Sequence, residues 1–201
     1  MSTEVSYVLV GDGGSDKALL PIISWAIRRA RPTAVIPAPT FVARAAKPID
    51  GMITHVATAY EPKLIFVHRD AEKLSYEERR REIPIWDRVV PVVPVRMIEA
   101  WLLIDEPALR MAAHNPNGSV ALEMPEVNRL EGLPDPKKAV YHLLRSASEL
   151  NARRRRSFSA ERAVHRLAEL IDDFSPLFGL PAFASFWEEL KLALDRLGAA
   201  G

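Results

Sequence analysis

The sequence predicts an α/β protein in which a mostly parallel, Rossmann-like sheet carries helices on both faces and is followed by a helical C-terminal part. Short apolar runs alternate with helical spacing over residues 1–113, a pattern typical of parallel βαβ units. Residues 114–201 contain several segments of helical periodicity and no strand-like run of this kind. We therefore expect an α/β domain over 1–113, and a connecting segment with a helical subdomain over 114–201.

The first predicted strand, Val5–Val10, ends abruptly at the loop Gly11-Asp12-Gly13-Gly14-Ser15-Asp16. Ser15 or Asp16 can cap the next helix, which we expect to extend to about Ala30. In an open α/β sheet, such a junction lies at the carboxyl edge, where these sheets bind ligands. The loop is thus the first candidate for a binding site.

The second strand is predicted over Thr33–Ile36, where the apolar signal is weak. Pro37 and Pro39 limit this strand, because proline cannot donate a hydrogen bond within a sheet. We therefore expect either an edge strand or an irregular continuation to Val42.

The third and fourth strands carry stronger signals. Leu64–Val67 is a continuous apolar run, consistent with a buried strand. Val89–Val95 is rich in valine, but Pro91 and Pro94 favour an edge or bulged strand. Apolar spacing and capping residues predict helices over residues 49–60, 75–82, 98–113 with a break near 105–107, 136–148, 159–171 and 182–197.

Acidic residues follow three of the predicted strands: Asp12 after the first, Asp70 and Glu72 after the third, and Glu99 after the fourth. A single acid after a strand is usually a turn residue or a helix cap. Parallel strands end at one edge, however, so these carboxylates can converge there. Since like charges repel, the cluster favours a bound cation. Mg²⁺ or Mn²⁺ with oxygen ligands suits a chain that contains no cysteine.

Groups that suit a phosphate lie next to these acids. Gly13 and Gly14, like Gly11 before them, permit a positive φ and let a phosphate come close, and amides at a helix start favour an anion. We expect phosphate contacts from a set of five residues: Gly13, Gly14, Ser15, His68 and Arg69. For His68 and Arg69, local pairing with the neighbouring acids is an equal alternative.

Cations elsewhere give a weaker indication of a nucleic-acid partner. The candidate nucleic-acid contact is a basic run, Arg153, Arg154, Arg155 and Arg156. Phosphate contacts there would make binding salt-dependent, although such a run is more often a solvated surface. Arg44 and Lys47 can reach the sheet edge from a loop, but we expect simple solvent exposure. A formal net charge of +1 provides no overall attraction to nucleic acid or membrane.

The composition is that of an ordinary globular protein, with 48% hydrophobic and 26% charged residues. The first residues lack the pattern of a signal peptide, and no apolar run approaches the ~20 residues that span a bilayer. We therefore expect a cytoplasmic protein without a membrane partner, and leave nucleic acid and protein open as partners.

Several short motifs resemble one superfamily. Asp12-Gly13-Gly14-Ser15-Asp16 resembles the glutamate-glycine-x-serine/threonine-aspartate loop of the TOPRIM superfamily, which includes topoisomerases, bacterial primases and OLD-type nucleases. Asp70-Ala71-Glu72 is similar to its second motif, an aspartate-x-aspartate after a later strand. Residues 96–103, the step Pro136-Lys137 and the aromatic segment 183–187 resemble a smaller family of TOPRIM-like bacterial proteins, some of them located among phage-defence genes.

The resemblance implies metal-assisted phosphodiester cleavage, as in a nuclease, and a setting in bacterial genome defence. It implies that Asp70 and Glu72 hold Mg²⁺ or Mn²⁺. Asp12 would move a proton or share the metal. Asp16 would fix the loop, and Glu99 would complete the cluster of catalytic acids.

The chain departs from the superfamily at two of these acids. Asp12 stands where the superfamily has glutamate, and Glu72 stands where it has aspartate. The shorter Asp12 reaches one methylene less far toward a scissile bond. The alternative function is therefore a non-catalytic module that keeps the TOPRIM-like fold and binds a nucleotide or a protein. A weaker alternative is a phosphate-ester or nucleotide hydrolase of another α/β class.

Overall fold

A computed structural model describes residues 3–45 and 47–199, with the backbone but not the side chain of Arg155. Within these residues, four parallel strands form one sheet in the order β2-β1-β3-β4. The strands are β1 (Tyr7–Gly11), β2 (Thr40–Ala43), β3 (Leu64–His68) and β4 (Val89–Val92). This all-parallel sheet confirms the predicted α/β class and is consistent with a Rossmann-like fold.

Helices make up most of the remaining described chain. The α-helices are α1 (Leu19–Ala30), α2 (Ile49–Tyr60), α3 (Tyr76–Arg81), α4 (Glu106–Ala112), α5 (Pro136–Ala147), α6 (Ala152–Arg155), α7 (Ala160–Leu170) and α8 (Pro181–Ala199). Shorter 3-10 helices cover Gly14–Ala18, Ile98–Leu102, Val127–Gly132 and Ser175–Gly179. Among the described helices, none is both long and apolar enough to cross a membrane.

The sheet is buried on both faces because successive side chains of a strand point to opposite sides. On one face, Val10 and Val67 belong to a core completed by α2. On the other, Leu9 and Phe66 belong to a larger core formed with α1, α4, α5, α7 and α8. The C-terminal helices thus pack into the same core as one face of the sheet, where truncating Phe66 to alanine would cost about 3–5 kcal/mol.

The predicted position of the second strand is wrong. Strand β2 covers Thr40–Ala43, whereas Val35 forms only an isolated bridge with Glu4. The two prolines at 37 and 39 lie before β2, where the chain pairs with no strand and needs no proline N–H donor. The predicted edge position is confirmed, since β2 and β4 form the two edges of the sheet.

The helix predicted over 98–113 divides into the 3-10 helix Ile98–Leu102 and α4. Asp105 caps the start of α4: its carboxylate accepts a hydrogen bond from the N–H of Ala108 at 2.9 Å. The break near 105–107 is thereby confirmed.

Candidate active site at the carboxyl edge of the sheet

The loops after β1 and β3 meet at the carboxyl edge, because these two strands are parallel neighbours. They enclose a cavity of about 300 Å³, here called the edge cavity. Its lining residues are Asp12, Gly13, Ser15, Asp16, His68, Arg69, Asp70, Glu72 and Arg79. The edge cavity therefore brings together acids from two of the three strand ends at which the sequence predicted them.

The loop after β1 is folded around the Asp16 carboxylate, which is only 5% exposed. Asp16 Oδ2 accepts hydrogen bonds from the N–H groups of Asp12 (2.6 Å) and Gly13 (3.2 Å). Ser15 Oγ donates to Asp16 Oδ1 at 3.2 Å. These bonds close the loop from within, so that Asp12 projects from a fixed backbone.

The glycines of this loop do not adopt the positive φ that the sequence led us to expect. Among the described glycines, none has a positive φ, so that expectation is wrong. Gly11 is needed for space instead, because a Cβ there would lie 2.6 Å from Asp16 Oδ2. A Cβ at Gly13 or Gly14 would meet nothing within 4 Å, so the loop surface is open at these two positions.

His68, at the end of β3, lies between two carboxylates and is only 2% exposed. Its Nε2 lies 3.1 Å from Asp70 Oδ1, and its Nδ1 lies 3.1 Å from Asp16 Oδ2. The Nδ1 contact is poorly directed for a hydrogen bond, so we regard it as mainly ionic. Burial alone lowers the pKa of His68, but the two carboxylates outweigh burial and raise the pKa to about 10. The side chain is thus an imidazolium that joins the loops after β1 and β3.

The same contacts act on the pKa of Asp16 in the opposite direction. Burial raises the pKa of this carboxyl, but His68 and the backbone N–H donors of Asp12 and Gly13 outweigh burial and hold the pKa below its ordinary value. Asp16 is therefore a buried, charged carboxylate at neutral pH.

Asp12 is paired with two arginines. Arg44 approaches Asp12 Oδ1 with Nε at 2.7 Å and Nη2 at 2.6 Å. Arg69 Nε lies 3.4 Å from Asp12 Oδ2. The expectation that Arg44 is simply exposed is wrong, because its side chain is 16% exposed and also donates to the carbonyl of Lys47. Sequence reasoning missed this pair because β2 was placed too early, which left the loop after it without a defined position.

Asp70 and Glu72 are held by an irregular continuation of the β3–β4 pairing. The N–H groups of Ala71 and Glu72 donate to the carbonyls of Pro94 and Arg96, each at 3.0 Å. Glu72 and Arg96 have φ of 53° and 68°, a left-handed conformation that is uncommon for non-glycine residues. Asp70 Oδ1 also accepts a hydrogen bond from the N–H of Ile98 at 3.0 Å. Both acids therefore occupy a backbone that the neighbouring segment fixes.

Helix α3 contributes one cation, Arg79, that sequence reasoning did not single out. Arg79 Nη1 lies 3.0 Å from both carboxylate oxygens of Glu82, and its Nη2 lies 3.7 Å from Glu72 Oε2. Arg69 Nη1 lies 2.9 Å from Glu82 Oε2. The sequence predicts α3 as a charged helix, but offers no signal for which of its charges face the sheet edge.

Glu99 lies in the 3-10 helix after β4, is 4% exposed and is not among the residues that line the edge cavity. Lys137 Nζ lies 3.9 Å from Glu99 Oε1. Burial, with smaller contributions from the charges of Asp70 and Asp16, raises the pKa of Glu99 against the lowering effects of its backbone N–H and of Lys137. Glu99 is thus electrostatically coupled to the site without reaching the cavity wall.

The donor set of the edge cavity fits Mg²⁺ or Mn²⁺ only in part. Within the described residues, no group of three His, Asp or Glu side chains is arranged to hold a metal ion. Mg²⁺ is often held by one or two carboxylates together with waters and phosphate oxygens, however. Asp70 and Glu72 suit this arrangement, since Asp70 Oδ2 takes part in none of the contacts among the described residues. At Asp12, a metal would have to compete with two arginines.

The predicted nucleic-acid contact lies apart from this cavity. Arg153, Arg154 and Arg156 are exposed in or beside α6 and line no part of the edge cavity. The side chain of Arg155 falls outside the described part of the chain.

Comparisons of the chain with protein-family models, with curated proteins and with solved structures give no significant match. The geometry of the site and the motifs in the sequence are therefore the basis for assigning a function.

Proposed function

We propose that this chain is a TOPRIM-like, metal-dependent phosphodiester-cleaving enzyme whose active site is the edge cavity. The observation that carries the proposal is the convergence of Asp12, Asp70 and Glu72 on one cavity that Arg69 and Arg79 also line. Carboxylates suit a divalent cation, and guanidinium groups suit the phosphate oxygens of a substrate. A cavity that offers both is suited to phosphodiester chemistry.

In this proposal each residue has a distinct task. Asp70 and Glu72 would hold Mg²⁺ or Mn²⁺, which would neutralise phosphate charge and lower the pKa of water at the site. His68 keeps Asp70 in place through its Nε2, and Arg69 binds phosphate oxygens. Asp12, once released from its arginines, shares the metal or accepts a proton.

The open loop surface supports the phosphate-binding part of the proposal. A Cβ at Gly13 or Gly14 would meet nothing within 4 Å, so a phosphate can approach the loop at these two positions. The N–H of Gly13 and the hydroxyl of Ser15 already donate to the Asp16 carboxylate, so they bind a phosphate only if those bonds are given up. Glu99 lies outside the cavity wall in this scheme, where burial and, to a smaller extent, the charge of Asp70 raise its pKa.

The alternative is a non-catalytic module that binds a nucleotide or a protein, and one observation favours it. Arg44 and Arg69 already neutralise Asp12, which is also one methylene shorter than the glutamate of the resembled superfamily. A site balanced in this way can bind phosphate through its arginines without a metal and without turnover.

Cleavage assays distinguish these functions. Labelled single-stranded DNA, duplex DNA and RNA, and the small diester bis(p-nitrophenyl) phosphate, are incubated with Mg²⁺, Mn²⁺ or EDTA. We expect metal-dependent cleavage that falls at least 100-fold in Asp70→Asn and is unchanged in Asp50→Asn, a control at an exposed acid of α2. A wild-type protein that binds nucleotide but cleaves nothing would establish the module instead. Turnover of small phosphate esters but not of polymers would indicate the other α/β hydrolase class.

The proposed biological setting, bacterial genome defence, follows from the sequence resemblance and has its own test. Cells that produce the wild-type chain should form fewer phage plaques than cells that produce Asp70→Asn. Equal plaque counts over a panel of phages would contradict this setting.

A further inference from the structure

A second and larger cavity opens beside the edge cavity. It has a volume of about 920 Å³, and Ser15 belongs to the walls of both. One wall is formed by α1 and the turn before it, and the other by α7 with Lys137 of α5. We call this cavity the α1–α7 groove.

The α1 wall carries a stripe of residues on one helical face. Lys17, Pro21, Ser24 and Arg28 all line the groove, and their spacing of four, three and four residues places them on one side of the helix. Lys17 and Arg28 mark the two ends of the stripe. Eleven residues of helix span roughly 16 Å.

Lys17 and Arg28 differ from Arg69 and Arg79 of the edge cavity, which are paired with carboxylates. Among the described residues, neither Lys17 nor Arg28 forms an ion pair with a carboxylate, and both are exposed. Lys17 Nζ lies 5.7 Å from the centre of the Phe41 ring, near the loop of the site. Unpaired cations along a groove provide the charge that a phosphate backbone requires.

The α7 wall offers a different chemistry. Glu161, His165 and Glu169 line the groove at intervals of four residues, so they form a second stripe opposite the cations. Carboxylates accept hydrogen bonds from the exocyclic amino groups of bases, and an imidazole can stack on a base. One wall thus suits phosphates, and the other suits the edges and faces of bases.

We infer that the α1–α7 groove binds a single strand of nucleic acid, which continues past Ser15 into the edge cavity. Its phosphates face Lys17 and Arg28, and its bases face α7. A duplex fits this arrangement poorly, because its bases are stacked on one another and their Watson–Crick edges are paired. The inference rests on the proposed function, which it deepens by naming the substrate class as single-stranded polymer.

The test measures binding without catalysis. Fluorescence anisotropy in EDTA follows labelled 12-nucleotide single-stranded DNA, the same sequence as RNA, and the corresponding duplex. We expect single strands to bind more tightly than the duplex, and the double variant Lys17→Gln/Arg28→Gln to bind single strands at least tenfold more weakly. Loss of two phosphate contacts should also reduce the slope of log K against log salt by about 1.4. The DNA and RNA arms show which sugar the groove prefers.

A matched control removes the same charge elsewhere. Lys138→Gln/Arg166→Gln changes two exposed cations of α5 and α7 that do not line the groove, and should leave binding unchanged. Equal binding by the two double variants, or tighter binding of the duplex, would overturn the inference.

Asp70→Asn separates the two proposals. If it abolishes cleavage while the groove variants bind normally, the function stands and the groove assignment fails. If the groove variants lose binding but no metal supports cleavage, the groove stands and the proposed function fails.

Discussion

Nε2 of His68 lies 3.1 Å from Oδ1 of Asp70 in the buried part of the site, so the chain itself supplies a cation to the carboxylate that we propose as a metal ligand. The contact fixes the Asp70 carboxyl before any ligand arrives. Since Oδ1 is held by His68 and by the N–H of Ile98, the other oxygen is the one left for an incoming cation. A ligand oriented in advance in this way needs less rearrangement on binding.

Replacing His68 should destabilise the fold. His68→Gln leaves the carboxylates of Asp16 and Asp70 without their shared cation, and breaking a buried ion pair in this way costs about 3–5 kcal/mol. Urea denaturation measures the free energy of unfolding. His55→Gln, at an exposed position of α2, is the control and should change it by less than about 0.5 kcal/mol. Equal stabilities of the two variants would contradict the bridging role.

The same residue should make stability depend on alkaline pH. The pKa of His68 is raised from 6.5 to about 10, so its stabilising contribution is complete below pH 6.5, declines above that pH and is lost as the pH passes about 10. The pKa of Asp16 is lowered, so its contribution is complete above its ordinary pKa of 3.8 and is lost as the pH falls below that value. Urea midpoints in EDTA should fall between pH 7 and 10 in wild type and change less in His68→Gln. Parallel profiles for the two proteins would disprove the assignment.

Gly11 should not tolerate a side chain. In Gly11→Ala the new Cβ would lie 2.6 Å from Asp16 Oδ2 and 2.9 Å from a ring carbon of Phe41, so either the loop or the strand has to shift. We expect a loss of about 1–3 kcal/mol in the free energy of unfolding, as for other overpacked sites. Gly13→Ala is the matched control, because its Cβ meets nothing within 4 Å and its φ of −154° suits any residue. A stable Gly11→Ala variant would show that this close approach is not needed.

Releasing Asp12 should strengthen metal binding. Arg44→Gln removes one of the two guanidinium groups that compete with a metal for this carboxylate. We expect Mn²⁺ affinity, measured by calorimetry, to rise several-fold, whereas Lys47→Gln, in the same loop, should leave it unchanged. Unchanged affinity in Arg44→Gln would mean that Asp12 is not a ligand.

The strong local signals of the sequence predicted much of the fold. Leu64–Val67 is a continuous apolar run and forms the first four residues of β3, and α2 covers the predicted residues 49–60. Strand β2 escaped prediction because it is short and only partly buried, so it lacks a continuous apolar signal. Its register is determined by pairing with β1, a long-range contact that no local pattern encodes.

Only one property of the site could be predicted from the sequence: the acids that follow parallel strands lie at the same edge of the sheet. Acids after parallel strands had to approach one another, and Asp12 and Asp70 do line one cavity. The positions of Arg44 and Arg79 depend on how a loop and the helix α3 pack against the sheet edge. The sequence shows that both residues are cations, but not which acids they pair with.

The decisive experiment compares Mn²⁺ binding by wild type and by Asp70→Asn, followed by cleavage of single-stranded DNA and RNA in the same samples. We predict that the wild-type chain binds Mn²⁺ and cleaves, and that Asp70→Asn weakens metal binding at least tenfold and abolishes cleavage while it stays folded. Metal binding and cleavage that persist unchanged in Asp70→Asn would contradict the claim that the edge cavity is a metal-dependent active site.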